Sequence, residues 1–179
     1  PWVEIKLIDS DGRVVPIGEK GEVCTRGYSV MLGYWNDAEQ TRETIDDARW
    51  LHSGDLGIMD EEGYLRIVGR IKDMIIRGGE NVYPAEIENA LMSHEGIADV
   101  AVVGVPDDKW GEVGKALVVP VPDSGVTADE ILAHAGERLA GFKIPGSVDF
   151  GEAIPRNPSG KSLKRGLREP FWEGHDRRV

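Results

Sequence analysis

Hydrophobic and polar positions in this chain follow one rhythm up to about residue 70 and another beyond it. Val3, Ile5 and Leu7 alternate with Glu4 and Lys6, the period-two pattern of a half-buried strand. Asp9 to Gly12 is a turn cluster, and Glu22 to Arg26 reads as a further strand. Asn36 to Glu39 gives a capping-box-like start to a short helix that ends near Thr44. Trp50 to Met59 and Tyr64 to Val68 flank the turn Asp60-Glu61-Glu62-Gly63, which predicts a hairpin. The second half mixes helices with strands. Met74 to Ile76 is a short strand, and Pro84 opens a helix where its missing N–H costs nothing. Ile87, Ala90 and Leu91 form that helix's apolar stripe. Asp99 to Val105 and Lys115 to Val121 read as two strands separated by a polar loop, Asp107 to Gly114. Thr127 and Glu130 make a capping box for a helix that buries Ile131, Leu132, Ala135 and Leu139, and Ser147 to Phe150 is a last strand.

These elements predict an α+β chain: a small β-rich segment over residues 1–70, then a ferredoxin-like α+β domain over residues 71–179 in the order β-α-β-β-α-β. Roughly 110 residues can bury a core of their own. The first seventy look less self-sufficient. The chain opens Pro1-Trp2-Val3 inside a strand-like pattern without Met, so it is expected to be the C-terminal piece of a longer protein, with part of any active site upstream.

Composition narrows the classes. Hydrophobic residues at 40% and charged residues at 30% describe a globular chain rather than a disordered one. A net charge of -11 argues against a nucleic-acid surface. The charge is uneven: residues 155–179 carry seven basic and three acidic side chains, hence +4, which leaves -15 on the rest. Such a basic end suits an anionic ligand such as a phosphate, or simply a solvated tail. A single cysteine, Cys24, forbids an internal disulfide, fits a reducing cytoplasmic setting, and reads as a small core residue. His52, His94, His134 and His175 show no metal-ligand spacing, so no metal site is expected. No apolar run is long enough to span a bilayer, and no signal peptide is expected.

Three stretches carry candidate chemistry. In Ser53-Gly54-Asp55-Leu56-Gly57 a carboxylate stands among glycines, able to accept two neighbouring hydroxyls such as those of a ribose; the simpler reading is a turn. Adjacent strand residues cannot chain base to nucleophile, so His52, Ser53 and Asp55 do not make a hydrolase triad. In Gly69 to Glu88, Arg70 is an always-charged fork suited to a ribose or phosphate, and Lys72-Asp73 falls at the change of rhythm. Gly78-Gly79 either lets a ligand slide over bare backbone or merely feeds the helix behind it. In Pro155-Arg156-Asn157-Pro158-Ser159-Gly160-Lys161-Ser162, the Gly-Lys-Ser is not a P-loop, because Pro155 stands where the first glycine belongs and no strand leads in. It is a stiff, exposed loop presenting Lys161.

Taken in order, these motifs resemble the adenylate-forming superfamily, which comprises acyl-CoA and aryl-CoA synthetases, luciferases and peptide-synthetase adenylation domains. Gly21-Glu22-Val23 through Gly33-Tyr34-Trp35 is similar to its Gly-Glu…Gly-Tyr segment, Ser53-Gly54-Asp55 to its Thr/Ser-Gly-Asp motif, Gly69-Arg70 to Glu88 to its hinge-and-loop motif, and Pro155 to Lys161 to its C-terminal Gly-Lys motif. Arg-Gly-Gly-Glu-Asn-Val-Tyr-Pro resembles the acyl-CoA synthetase branch. The resemblance implies that Asp55 holds the ribose of ATP with Arg70 assisting, and that Lys72 is the pivot between the two domains. It implies that Lys161 bridges the substrate carboxylate and the α-phosphate as the catalytic lysine, and that Gly78 and Gly79 line the path of CoA. The implied reaction joins a carboxylic acid to AMP from ATP with release of pyrophosphate, then passes the acyl group to CoA. The phosphate loop, the Mg²⁺ site and the acyl pocket would lie upstream, so this piece alone is expected to be inactive. An adenylating enzyme that hands the acyl group to a carrier protein, and a non-enzymatic ferredoxin-like interaction module, remain as alternatives. A lysine acetyltransferase acting on Lys161 would remove the charge the chemistry needs.

Overall fold

The computed structural model describes residues 2–158 and 160–175. The chain divides into two units, Pro1–Ile71 and Lys72–Val179.

In the first unit, β1 (Val3–Ile8), β2 (Lys20–Gly27), β3 (Leu51–Met59) and β4 (Leu65–Arg70) form an antiparallel sheet in chain order. The hairpin turn after β3 closes as its sequence demands: Asp60 Oδ1 accepts the Tyr64 N–H at 2.8 Å, and Gly63 takes φ +85°. α1 (Ala38–Thr44) is capped one residue later than its capping pattern suggested. Asp37 is the N-cap, and its carboxylate accepts the Gln40 N–H. The core here is small: Leu7, Ile8, Val23, Cys24, Ile45 and Leu56. α1 buries none of its residues, so it covers little of the sheet. Alternation sets Val3, Ile5 and Leu7 on one face of β1. Only Leu7 is buried; Val3 and Ile5 are 39% and 45% exposed.

The second unit starts with a finger. β5 (Ile75–Arg77) and β6 (Glu80–Val82) pair through the two-residue turn Gly78-Gly79, at φ +59° and +89°. Two successive positive φ values are what a type I′ hairpin needs, which accounts for the glycine pair locally. α2 (Pro84–Leu91) begins with its proline and has no side-chain cap from Tyr83. β7 (Ile97–Asp107) and β8 (Gly111–Pro120) then form a long hairpin. The polar loop expected over Asp107 to Gly114 is thereby corrected to three residues, 108–110. Gly111 to Gly114 has poor strand propensity, but it is held by β7 on one side and meets β5 at Arg77–Gly111. Asp107 Oδ1 closes the turn by accepting the Lys109 and Trp110 N–H groups.

α3 (Ala128–Arg138) carries the full capping box: the Thr127 N–H donates to Glu130 Oε2 at 2.8 Å, and the Glu130 N–H to Thr127 Oγ1 at 3.3 Å. β9 (Ser147–Phe150) runs parallel to β8 over Lys115–Val118. β5 is only three residues long and meets β8 at one pair, so β9 reaches β8 directly farther along. The α+β class and the β-α-β-β-α-β order hold, with β6 as an addition. α4 (Lys164–Arg168) follows.

Both faces of the sheet are covered. Ile87 and Leu91 of α2 and Ile131 and Ala135 of α3 pack with Val100, Val102, Ala116 and Val118 on one side. Leu167 and Phe171 lie against Val103, Val105 and Val113 on the other. This explains why residues 100–105 are buried in an unbroken run rather than alternately.

Candidate functional site

The stretch Ser53-Gly54-Asp55 leaves the regular ladder. Cys24 pairs with His52 and Glu22 with Leu56, so two steps of β2 face four of β3 and the excess forms a bulge. Gly54 turns at φ +69°, where a Cβ would strain the backbone. Three bonds fix the bulge: Ser53 Oγ donates to the Val23 carbonyl at 2.7 Å, the Asp55 N–H to Ser53 Oγ at 3.1 Å, and the Gly54 N–H to Glu22 Oε1 at 3.0 Å. Asp55 stands opposite Arg70 on β4, and Arg70 Nε donates to Asp55 Oδ1 at 2.7 Å. The two side chains are 35% and 57% exposed, so the pair adds little stability, about 0–1 kcal/mol. Its effect is to orient: Arg70 holds one carboxylate oxygen and leaves the group open to solvent.

Lys72 begins the second unit. Its carbonyl accepts Arg168 Nη1 at 2.8 Å, which ties the start of the unit to α4. Gly78 and Gly79 form the tip of the β5–β6 finger, and they differ. A Cβ on Gly78 would lie 2.9 Å from Trp110 Cε3, whereas one on Gly79 would meet nothing within 4 Å. A groove of about 420 Å³ opens beside Gly79, lined also by Ile76, Asp107, Trp110, Gly111 and Trp172.

The Lys161 loop is stiff for reasons beyond its prolines. The Asn157 N–H donates to the Lys161 carbonyl, Asn157 Oδ1 accepts the Lys161 N–H, and the Gly160 N–H donates to the Asn157 carbonyl, each at 2.9 Å. Arg156 Nη2 contacts both Asp99 oxygens at 2.8 Å, and Nη1 donates to the Gly160 carbonyl. The loop is thus clamped onto β7, with Lys161 exposed. Ser159 lies outside the described residues. The clamp was not visible in the sequence, since Asp99 and Arg156 are 57 positions apart.

A second grouping went unread because it depends on strand pairing. Glu22 and Cys24 sit two apart on β2, and His52 faces Cys24 across the sheet. His52 Nδ1 lies 3.1 Å from Glu22 Oε2 and 3.6 Å from Cys24 Sγ, so His52, which shows no ligand spacing along the chain, acquires it in space. Burial, and then the Glu22 charge, push the Cys24 thiol up to about 11, so it is protonated at neutral pH. Glu22 therefore has two duties, supporting the Asp55 bulge with one oxygen and facing His52 with the other.

The chain is similar to known proteins over nearly its whole length. Residues 86–161 match the AMP-binding enzyme C-terminal domain, and residues 1–35 match AMP-binding enzyme. The chain belongs to the adenylate-forming superfamily, in its C-terminal portion. Feruloyl-CoA synthase of Amycolatopsis is 49% identical over 170 residues, covering 95% of this chain and 34% of the relative. The fatty acid–[acyl-carrier-protein] ligase ScoC of Streptomyces coeruleorubidus is 46% identical over 179 residues, covering 100% of this chain and 34% of the relative. The ATP-bound crystal structure of MatB from Rhodopseudomonas palustris superposes with a TM-score of 0.92 at 37% identity, covering 98% of this chain and 35% of that one. The chain spans about a third of the length of these relatives. No helix among the described residues is long and apolar enough to cross a membrane.

Proposed function

We propose that this chain is the C-terminal part of an AMP-forming acyl-CoA synthetase, a cytoplasmic acid–thiol ligase that uses ATP and CoA. The observation that carries this reading is the Asp55 carboxylate, raised on a bulge, oriented by Arg70 and open to solvent. Such a carboxylate accepts two vicinal hydroxyls, as on the ribose of ATP, while Arg70 Nε holds its Oδ1 in place. Lys161, on its clamped loop, offsets the charge that builds when a substrate carboxylate attacks the α-phosphate. A pivot at Lys72 presents Lys161 for the first step and the Gly78-Gly79 turn, with its groove, for thioester formation. Mg²⁺ requires oxygen ligands. The Glu22, Cys24 and His52 grouping contains a thiol and does not suit Mg²⁺.

The test uses the full-length enzyme. Lys161→Ala lowers acyl-adenylate formation, read by pyrophosphate exchange, about 10²–10³-fold, and spares thioester formation from preformed acyl-adenylate. Equal losses in both half-reactions would overturn the assignment. Acetylation of Lys161 has the same effect by removing its charge, and intact-mass analysis of inhibited enzyme should find the modified lysine.

The similarity to a carrier-protein ligase over the whole chain supports a second acceptor. Offering CoA and a phosphopantetheinyl carrier protein in parallel to the adenylated enzyme separates the two.

A further inference from the structure

We propose that Glu22, Cys24 and His52 form a binding site for one thiophilic divalent cation of the zinc class. The three donor atoms, a carboxylate oxygen, a sulfur and a ring nitrogen, all lie within 4.8 Å of one another. Tetrahedral zinc with ordinary bond lengths places its sulfur and nitrogen ligands about 3.3–3.6 Å apart. Sγ and Nδ1 are already 3.6 Å apart, Nδ1 and Oε2 are 3.1 Å apart, and the sulfur and carboxylate lie within 4.8 Å, so the adjustment an ion requires falls on the Glu22 carboxylate.

Hydrogen bonding alone accounts poorly for the group. Nδ1 has a single in-plane site, so it either donates to Glu22 or accepts from the Cys24 thiol, yet it lies close to both. A cation would use all three donors at once. Two of them, His52 and Glu22, have further polar neighbours, as known metal ligands do. His52 Nε2 is 3.8 Å from Asp46 Oδ2, Asp46 Oδ1 is held by the Trp50 N–H at 2.8 Å, and Glu22 Oε1 is held by the Gly54 N–H. Cys24 is fully buried, but Glu22 and His52 are 17% and 29% exposed, so an ion enters from their side and keeps one position open to water. On binding, the thiol proton leaves to solvent as the metal–sulfur bond forms. Sulfur and imidazole select zinc, cobalt or cadmium over magnesium and calcium.

The test titrates the reduced, metal-free full chain with Co²⁺, followed by Zn²⁺ competition. The expected result is one equivalent of Co²⁺ with a thiolate-to-cobalt charge-transfer band, displaced by Zn²⁺ and not by Mg²⁺. Cys24→Ser abolishes the band. Asp46→Asn keeps all three ligands and retains the band while weakening affinity about 10–100-fold, so the proposal stays testable if the serine variant folds poorly. The double variant His94→Ala and His134→Ala, whose rings pair 4.9 Å apart elsewhere, leaves the band unchanged. Absence of a charge-transfer band at one equivalent, its persistence in Cys24→Ser, or its loss in the double variant would overturn the proposal.

Discussion

Replacing Gly79 by leucine separates the two half-reactions most directly. Gly79 sits at φ +89°, so a leucine there carries left-handed strain of about 1–2 kcal/mol. It adds no clash, because a Cβ at this position meets nothing within 4 Å. Against a domain stability of about 5–15 kcal/mol that cost leaves the fold intact. The new side chain enters the groove shared with Trp110 and Trp172, where the CoA arm is proposed to pass. In the full-length enzyme, pyrophosphate exchange should therefore persist. Thioester formation from preformed acyl-adenylate should fall by at least about 10²-fold, the scale on which misplaced reactants lose rate. Chemical denaturation should show a loss within the strain figure. Gly78→Leu is the contrasting case: its Cβ meets Trp110 Cε3 at 2.9 Å, so it should lose more stability than Gly79→Leu. Loss of adenylation alone in Gly79→Leu would refute the placement of CoA beside this turn.

Three further outcomes are expected. Ile87, fully buried between α2 and the sheet, should cost about 2–5 kcal/mol as Ile87→Ala, measured by urea unfolding. Arg156→Ala removes the clamp on the Lys161 loop; because the pair is partly exposed, global stability should change by only about 0–1 kcal/mol while adenylation falls, and unchanged adenylation would show that the clamp positions nothing. Glu130 has its carboxyl held below the usual range by the Thr127 backbone N–H and then the Thr127 hydroxyl. Its contribution is present in full above the ordinary carboxylate pKa and is lost as pH falls through the lowered one, so the gap in melting temperature between the natural chain and Glu130→Gln should close between about pH 6 and about pH 3.

Local structure is legible in the sequence where its causes are local. The capping box at Thr127 and Glu130, the proline start of α2, the Asp60–Gly63 turn and the order of strands and helices each depend on a few adjacent residues, and each is present. The cap of α1 moves by one residue because Asn36 turns at φ +52°, outside the extended backbone of an N-cap, whereas Asp37 has a negative φ and its carboxylate accepts the Gln40 N–H. The strands β7 and β8 ran longer than their polar residues suggested because long-range pairing, not propensity, sets their ends.

By itself the sequence determined the α+β class, the proline start of α2, the capping box of α3, and the ordered motifs that carry Asp55, Arg70, Lys72, Gly78, Gly79 and Lys161. Only the tertiary structure decided that Asp55 rides on a bulge braced by Glu22, that Arg156 reaches Asp99 to clamp the lysine loop, and that Cys24 faces His52. The physical reason is register. A one-residue slip of β3 against β2 would turn His52 away from Cys24, and the bulge that sets this register is fixed by bonds between residues about thirty positions apart, beyond the reach of any local pattern.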